Sequence, residues 1–267
     1  MSLDADREAS AFLADLEGIL GLTYARKGRS SSVFDVLLLL GRPASGKSEF
    51  IDFLSRCPAE RRAERFHVGD LRVVDDFPLL WEKFLEDDAW EKLGLPRLYS
   101  RRVGSNYVVT NPAVWPFLID RIAHLVEEPV SRGAGPSRRT TVVEFSRGGP
   151  HAYFEALSLL SPGLLRRAAI LYVSVSAEES SRRNAARYDP SRGGEVLTHS
   201  VPQEEMARTY AEDDWPRLAP APWGWVAVRG VRVPYVAMHN EPELQDPNLL
   251  DRRYKEALDR LQALSHP

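Results

Sequence analysis

An eight-residue loop signature constrains this chain more than any other feature of its sequence. Residues 41–48 read GRPASGKS and fit the pattern G-x-x-x-x-G-K-[S/T] at every defined position. The apolar run 36–40 precedes the loop, and a helical pattern at 49–57 follows it. A buried strand, a glycine-containing loop and a helix in this order are the context that the pattern requires. The sequence therefore predicts a phosphate-binding loop.

Each fixed position of the loop has a chemical reason. Gly41 and Gly46 let the backbone curl so that successive N–H groups face phosphate oxygens, beside the positive end of the next helix. Lys47 is expected to reach the β- and γ-phosphates, and the Ser48 hydroxyl to ligate a bridging magnesium ion. The alternative is a glycine–serine turn with a solvated lysine. The residues assigned to nucleotide phosphates are Gly41, Arg42, Pro43, Ala44, Ser45, Gly46, Lys47 and Ser48.

Composition narrows the classes of partner. The 267 residues carry a formal net charge of -3, with 43% hydrophobic and 27% charged residues. This balance gives no general electrostatic reason to bind nucleic acid or an anionic membrane, so neither partner is expected. The single cysteine, Cys57, and a start without a basic or apolar leader are typical of a cytoplasmic protein.

Strand-like and helical patterns alternate over most of the chain, which predicts a parallel sheet with helical crossovers. The fold expected is α/β, a three-layer P-loop NTPase fold with a mainly parallel five-stranded sheet and a helical or irregular insertion. Predicted core strands lie at 36–40, 65–68, 140–145, 168–175 and 231–238, the last as the second arm of a hairpin at 226–238. Predicted helices lie at 3–20, 49–57, 77–93, 112–128, 153–167 with a break at Pro162, 177–187, 202–213 and 249–264.

The chain is predicted to form a single domain over 1–267. Residues 75–139, which include a hairpin-like basic stretch at 97–110, are interpreted as an insertion on the acceptor side. Residues 182–200 have the charge and glycine content of a lid that closes over a reactive phosphate.

Three residues outside the loop are candidates for chemistry at the carboxyl edge of the sheet. Glu144 ends a buried strand and is assigned to the metal, with a structural ion pair as its alternative. Arg147 follows it and is expected to point into the same cleft. Asp70 is placed after the predicted strand 65–68, where it either holds and deprotonates an acceptor hydroxyl or caps the next turn.

Arginines before the predicted lid form a second group of candidates. Arg183 and Arg187 share a helix face, and Arg182 is offset from them. Arg183 and Arg187 are assigned to phosphate contacts during transfer, although a run of arginines is also typical of a solvated helix face. Arg97, Arg101 and Arg102 are weaker candidates for the same task.

Four segments taken together resemble one family. GRPASGKS, GDLR at 69–72, VVEFSRG at 142–148 and EESSRRNAAR at 178–187 are similar to the nucleoside monophosphate kinases and their adenylate-kinase-like relatives. The resemblance implies a kinase fold, an acceptor side that begins at the Gly-Asp segment, and arginines that flank a lid. The sequence departs from the family at 144–147, which lack its glycine and proline.

Two functions remain open at this point. The first is an ATP- and magnesium-dependent kinase that transfers the γ-phosphoryl group to a small molecule, with nucleotides among the candidates. The second is a nucleotide-dependent switch or regulatory ATPase. The sequence carries no Asn-Lys-x-Asp or Thr-Lys-x-Asp motif of the kind that reads guanine, which disfavours a conventional GTPase.

Overall fold

The computed structural model describes residues 33–104, 106–128, 139–187 and 200–265. The predicted helix at 3–20 and most of the predicted lid, residues 188–199, lie outside these ranges. The strands are β1 (Val36–Gly41), β2 (Asp70–Asp75), β3 (Ser100–Val103), β4 (Asn106–Val109), β5 (Arg139–Phe145), β6 (Ala168–Ser174), β7 (Trp223–Val228) and β8 (Val231–His239). The longer helices are α1 (Lys47–Arg56), α2 (Ala59–Phe66), α3 (Asp76–Lys92), α4 (Val114–Glu127), α5 (Ala152–Leu159), α7 (Ala177–Ala186) and α10 (Pro247–Ser265). The shorter ones are α6 (Pro162–Arg167), α8 (Gln203–Thr209) and α9 (Trp215–Leu218).

One mostly parallel sheet organises the described residues. Its strand order is β2-β5-β1-β6-β8-β7, and only the β7–β8 pair is antiparallel. The sheet has six strands rather than the five predicted, because the first arm of the C-terminal hairpin joins it as an edge strand. The chain leaves β1 toward β2 on one side and returns to β6 on the other. The end of β1 therefore lies at a topological switch point, where open α/β sheets bind ligands.

Helices cover both faces of the sheet, as predicted for three layers. Alternate β1 side chains point to opposite faces, so Leu38 packs with α4, α5 and α6, whereas Leu39 packs with α1, α2 and α10. Both leucines are fully buried. A strand buried on both faces must be apolar along its whole length, which explains the run 36–40. No helix in the described ranges is both long and apolar enough to cross a bilayer.

The predicted strand at 65–68 is wrong. Residues 59–66 form α2, which starts after Pro58 and ends at His67 in the left-handed conformation, with φ 56°. The strand comes next, and its register places Asp70 opposite Arg139 and Asp75 opposite Glu144. Asp70 is thus at the amino end of β2, at the edge of the sheet opposite to the loop.

A small additional core lies between α3 and α4. The hairpin β3–β4 confirms the hairpin-like prediction for 97–110, and its Val109 packs there with Phe84 and Leu118. The Asp87 carboxylate is fully buried and accepts hydrogen bonds from the N–H of Leu98 at 2.6 Å and of Ser100 at 2.7 Å. It also accepts a hydrogen bond from the Ser100 hydroxyl at 2.7 Å. This carboxylate fixes the start of the hairpin on α3.

We expect Asp87→Asn to destabilise the protein. The new NH2 group would face backbone N–H donors, which leaves buried donors without an acceptor, so the free energy of unfolding should fall by about 2–4 kcal/mol. Urea denaturation measures this, with Asp120→Asn on the exposed face of α4 as the matched control. Equal midpoints for the two variants would contradict the assigned role of Asp87.

Candidate functional site

The loop 41–48 adopts a tight curl that requires glycine at two positions. Gly41 has φ 149° and Gly46 has φ 106°, values that favour glycine. A Cβ at Gly41 would lie 2.6 Å from the Val173 carbonyl oxygen, and one at Gly46 would lie 2.3 Å from Asn240 Nδ2. The loop is therefore held against β6 and the end of β8 more closely than any larger residue permits.

The interior of the loop presents donors. Gly46 is the N-cap of α1 and supplies no side-chain cap, so the helix N-terminus turns its N–H groups toward the curl. The Ser45 hydroxyl is buried against Gly41 and has no hydrogen-bond partner among the described residues. Uncapped N–H groups and an unpartnered hydroxyl at a positive helix end fit an anion such as phosphate.

The Lys47 side chain is buried, with 4% exposure. Its ammonium donates to the carbonyls of Gly41 at 3.1 Å and Arg42 at 3.0 Å, and to the Ser146 hydroxyl at 2.8 Å. The nearest opposite charge, Glu144 Oε1, is 3.9 Å away. Burial lowers the pKa of Lys47, and the nearby carboxylates oppose that shift. An anion in the loop would add a strong partner for this ammonium.

Three carboxyl groups lie beside Lys47 at the carboxyl ends of β2 and β5. Glu144 lies opposite Asp75 in the register of the two strands, and Asp76 begins α3. Burial, followed by the charges of Glu144 and Asp76, raises the pKa of Asp75 to about 7. Burial also raises the pKa values of Asp76 and Glu144. The group as a whole therefore favours a bound cation.

Residues from α7 and the end of β8 support the loop from outside. Asn240 Nδ2 donates to the Ser45 carbonyl at 2.8 Å, and Arg183 donates to the Asn240 carbonyl at 2.7 Å. Arg183 is also paired with Glu179 at 2.6 Å and is buried. The prediction that Arg183 contacts phosphate is thus not met by its geometry, because its guanidinium is committed to holding Asn240.

Arg42 and Arg147 are likewise engaged by acids. Arg42 pairs with Asp213 at 3.0 Å, so its backbone belongs to the curl while its side chain reaches toward the segment after α8. Arg147 is buried, pairs with Asp76 and lies 5.3 Å from the Trp115 ring centroid. Instead of pointing freely into the cleft, its guanidinium holds Asp76 and Trp115 in place.

Arg187 and Ser48 remain on the open side of the loop. Both line a cleft that begins at the loop, where Arg187 is paired with Glu49 on the first turn of α1. Ser48 is exposed, so its hydroxyl is accessible to a ligand. Of the two arginines that the sequence analysis assigned to phosphate contacts, Arg187 is the one that lines the cleft at the loop. Arg182 pairs with Glu179 on the surface, and Arg97, Arg101 and Arg102 pair with acidic residues of α3 and α8.

The acid at the carboxyl end of β2 is Asp75 rather than Asp70. Asp70 is exposed at the amino end of the strand and does not line the cleft. Asp75 lines it, and one of its oxygens accepts the Phe77 N–H at 2.9 Å. The other oxygen has no hydrogen-bond donor among the described residues. Two apolar residues, Val73 and Val74, directly before two aspartates are the sequence signal that could have located this strand end.

The cleft extends from the loop into an apolar chamber. We use this name for the part of the cleft lined by Phe77, Leu80, Phe84, Tyr107, Val109 and Trp115. These residues come from α3, β4 and α4, the region that the sequence predicts as an insertion. The site thus has a polar, charged end at the loop and a separate apolar end beyond the carboxylates.

Among the described residues, no three His, Cys, Asp or Glu side chains are arranged to hold a metal by themselves. Ser48 and Glu144 both line the cleft and offer two oxygen ligands. Magnesium usually takes one or two protein oxygens and completes its shell with substrate phosphates and water. The donor set therefore fits a magnesium ion that arrives with a phosphate ligand.

We expect Asp75→Asn to stabilise the protein at alkaline pH. Asp75 titrates near its ordinary value of 3.8 when unfolded and at about 7 when folded. Between these values the folded state binds more protons, so its stability falls as pH rises. Asn at position 75 does not ionise, so the variant removes this loss of stability. Its side-chain oxygen can still accept the Phe77 N–H and cap α3. Its free energy of unfolding should exceed the wild-type value by roughly 1–3 kcal/mol at pH 8.

That advantage should shrink as the pH is lowered toward 4, where the wild-type carboxyl is neutral in the folded state. Thermal unfolding of both proteins across this range measures the difference. A variant less stable than wild type at pH 8 would show that the ionised carboxylate is well compensated.

Comparison with known proteins identifies no family. No family model and no curated protein matches the sequence. An unliganded sugar kinase from Janibacter sp. HTCC2649 is similar in structure, with 16% identity and a TM-score of 0.42, over 86% of this chain and 98% of that one. The protein APE1195 has 13% identity and a TM-score of 0.40 over the same shares. Because both scores lie below 0.5, neither similarity indicates the function of this chain.

Proposed function

We propose that this protein is an ATP- and magnesium-dependent kinase that transfers the γ-phosphoryl group to a small molecule. The observation that carries the proposal is the two-ended cleft, which joins a phosphate-binding loop to an apolar chamber across a group of carboxylates. The fold we propose is that of a P-loop NTPase. Its support is the loop sequence, its curl and its place at the switch point of the sheet.

The residues present fit both cofactors. The backbone of 41–48, the Ser45 hydroxyl and Lys47 would hold the phosphates, and Ser48 with Glu144 would hold magnesium. When bound, ATP supplies the transferable phosphoryl group and magnesium neutralises part of its charge. Arg187, at the open side of the loop, is positioned to close against the phosphates if it exchanges its partner Glu49.

Transfer requires this chain to orient an acceptor and receive its proton. Asp75 takes the role that the sequence assigned to Asp70, because it lies at the correct end of β2 and has one oxygen without a donor. A raised pKa suits a general base that operates near neutral pH. Arg147, through Asp76 and Trp115, is a positioning residue for the boundary between the two ends of the cleft.

A nucleotide-dependent switch or regulatory ATPase is the second candidate. Such a protein needs the loop and the metal site but has no use for a separate chamber beside the reacting phosphate. The apolar chamber favours the kinase, because it provides space for an acceptor next to Asp75.

Lys47→Ala should weaken ATP binding and lower phosphoryl transfer by at least about two orders of magnitude, because the ammonium stabilises charge in both the ground state and the transition state. Calorimetric titration with ATP and magnesium measures binding, and ADP release measures turnover. Lys92→Ala, at the exposed end of α3, is the matched control and should behave as wild type. Unchanged ATP affinity in Lys47→Ala would show that the loop is not the ATP-binding site.

Asp75→Asn and Asp70→Asn form a second, matched pair. Asp75→Asn keeps the volume and the cap but loses basicity, so turnover should fall by roughly two to four orders of magnitude while ATP affinity changes little. Asp70→Asn should retain full turnover because Asp70 lies at the far edge of the sheet. Steady-state transfer by both variants decides the assignment, and the opposite result would return the role to Asp70.

A further inference from the structure

The walls of the apolar chamber are aromatic and fixed in place. The rings of Phe84 and Tyr107 are stacked with centroids 4.8 Å apart. Trp81 lies behind them, edge-on to both rings, and Phe77 packs on Trp81 at 6.0 Å. Phe77 is only partly buried and lines the cleft. A wall of this kind binds a flat, apolar surface by stacking.

Charge in the cleft is divided unevenly. Among the described residues that line it, the cations are Lys47 and Arg187, and both lie at the loop. The carboxylates are Asp75, Asp76, Glu144 and Glu205. Phosphate-bearing ligands are normally bound by unpaired arginines or lysines. The described chamber offers none.

Two arginines that contact residues of the chamber are already neutralised. Arg147 is paired with Asp76. Arg208 pairs with Glu205 at 2.7 Å and donates to the Val109 carbonyl at 2.8 Å. A second phosphate group placed beside Asp75 and Glu144 would therefore meet carboxyl groups instead of cations, an arrangement that disfavours its binding.

Two polar side chains at the rim of the chamber, Asn184 and Tyr107, are also occupied. The Asn184 side chain donates to the Val201 carbonyl at 2.7 Å and accepts its N–H at 2.9 Å. The Tyr107 hydroxyl donates to Asp88 at 2.7 Å. Asp75, Asp76 and Glu144 all line the cleft at the end of the chamber that adjoins the loop. Because Glu144 is assigned to magnesium and Asp76 is paired with Arg147, the Asp75 oxygen without a donor is available to receive an O–H from a ligand.

We propose that the phosphoryl acceptor is an uncharged alcohol built on a planar ring, and that acceptors already carrying a phosphate are excluded. This inference rests on the proposed kinase function and specifies its substrate class. The ring stacks on Phe77 and the hydroxyl faces Asp75. On transfer, the acceptor oxygen bonds to the γ-phosphorus, the bond from that phosphorus to ADP breaks, and Asp75 receives the hydroxyl proton. Nucleosides and simple aromatic alcohols share this chemistry.

The test compares acceptors that differ in charge and in ring content. Thymidine, uridine and 2-phenylethanol are assayed for ADP release beside thymidine monophosphate, uridine monophosphate and D-glucose. At least one of the three uncharged compounds with a planar ring should have a kcat/KM about tenfold or more above that of both monophosphates and of D-glucose. The two nucleosides against 2-phenylethanol distinguish the two sources of the ring.

Substitution of Phe77 then tests where the ring of the acceptor binds. Phe77→Ala should raise KM for the preferred acceptor about tenfold and leave KM for ATP unchanged, since it removes one stacking surface. Phe154→Ala, an exposed phenylalanine of α5 outside the cleft, is the control. Equal acceptor KM values for wild type and Phe77→Ala would overturn the stacking role.

The outcomes also separate this inference from the kinase proposal. Preference for a monophosphate or for D-glucose would retain the kinase and overturn the substrate class. If no compound raises ADP release, the kinase proposal fails. Thermal-shift measurements with the same six compounds then test whether the chamber binds a planar ring. A higher melting temperature with thymidine, uridine or 2-phenylethanol, and no such increase in Phe77→Ala, would support the inference. No shift, or a shift only with the monophosphates or D-glucose, would overturn it.

Discussion

Burial of the Lys47 ammonium is the constraint on which this end of the molecule depends. A charged group with 4% exposure must find oxygen partners, and here two loop carbonyls and the Ser146 hydroxyl supply them. The carbonyls face the ammonium only because the loop curls tightly, which requires the glycines at 41 and 46. The curl in turn depends on Asn240, which reaches the loop from the end of β8 and is itself held by Arg183.

The carboxylates beside Lys47 are costly for the fold. Asp75, Asp76 and Glu144 lie close together, and burial raises the pKa of each. Lys47 and Arg147 compensate for part of this charge. A protein that only needed to fold would gain by replacing such a group with apolar residues. Functional sites commonly carry a local cost of this kind, and the proposed transfer reaction gives it a purpose.

Much of the architecture could be predicted because its signals are local. The loop pattern and the buried strands 36–40, 140–145 and 168–175 correspond to elements of the structure, since continuous apolar runs are strong signals. Strand β2 was misplaced because it lies at the sheet edge and mixes charged with apolar residues, whereas Pro58 reads as the end of one helix rather than the start of the next. Because the predicted strand lay too early in the chain, Asp70 instead of Asp75 was assigned to its carboxyl end. The partners of Arg147 and Arg183 could not be predicted, because they depend on contacts between distant segments.

Transfer of the label from γ-labelled ATP tests the central claim most directly. The 267-residue protein is incubated with labelled ATP, magnesium and each candidate acceptor, and the products are separated. We expect the label to appear in an acceptor, a magnesium chelator to abolish this transfer, and Lys47→Ala not to support it. Label found only as inorganic phosphate, at a rate that no acceptor changes, would contradict the proposed kinase reaction and indicate a regulatory ATPase instead.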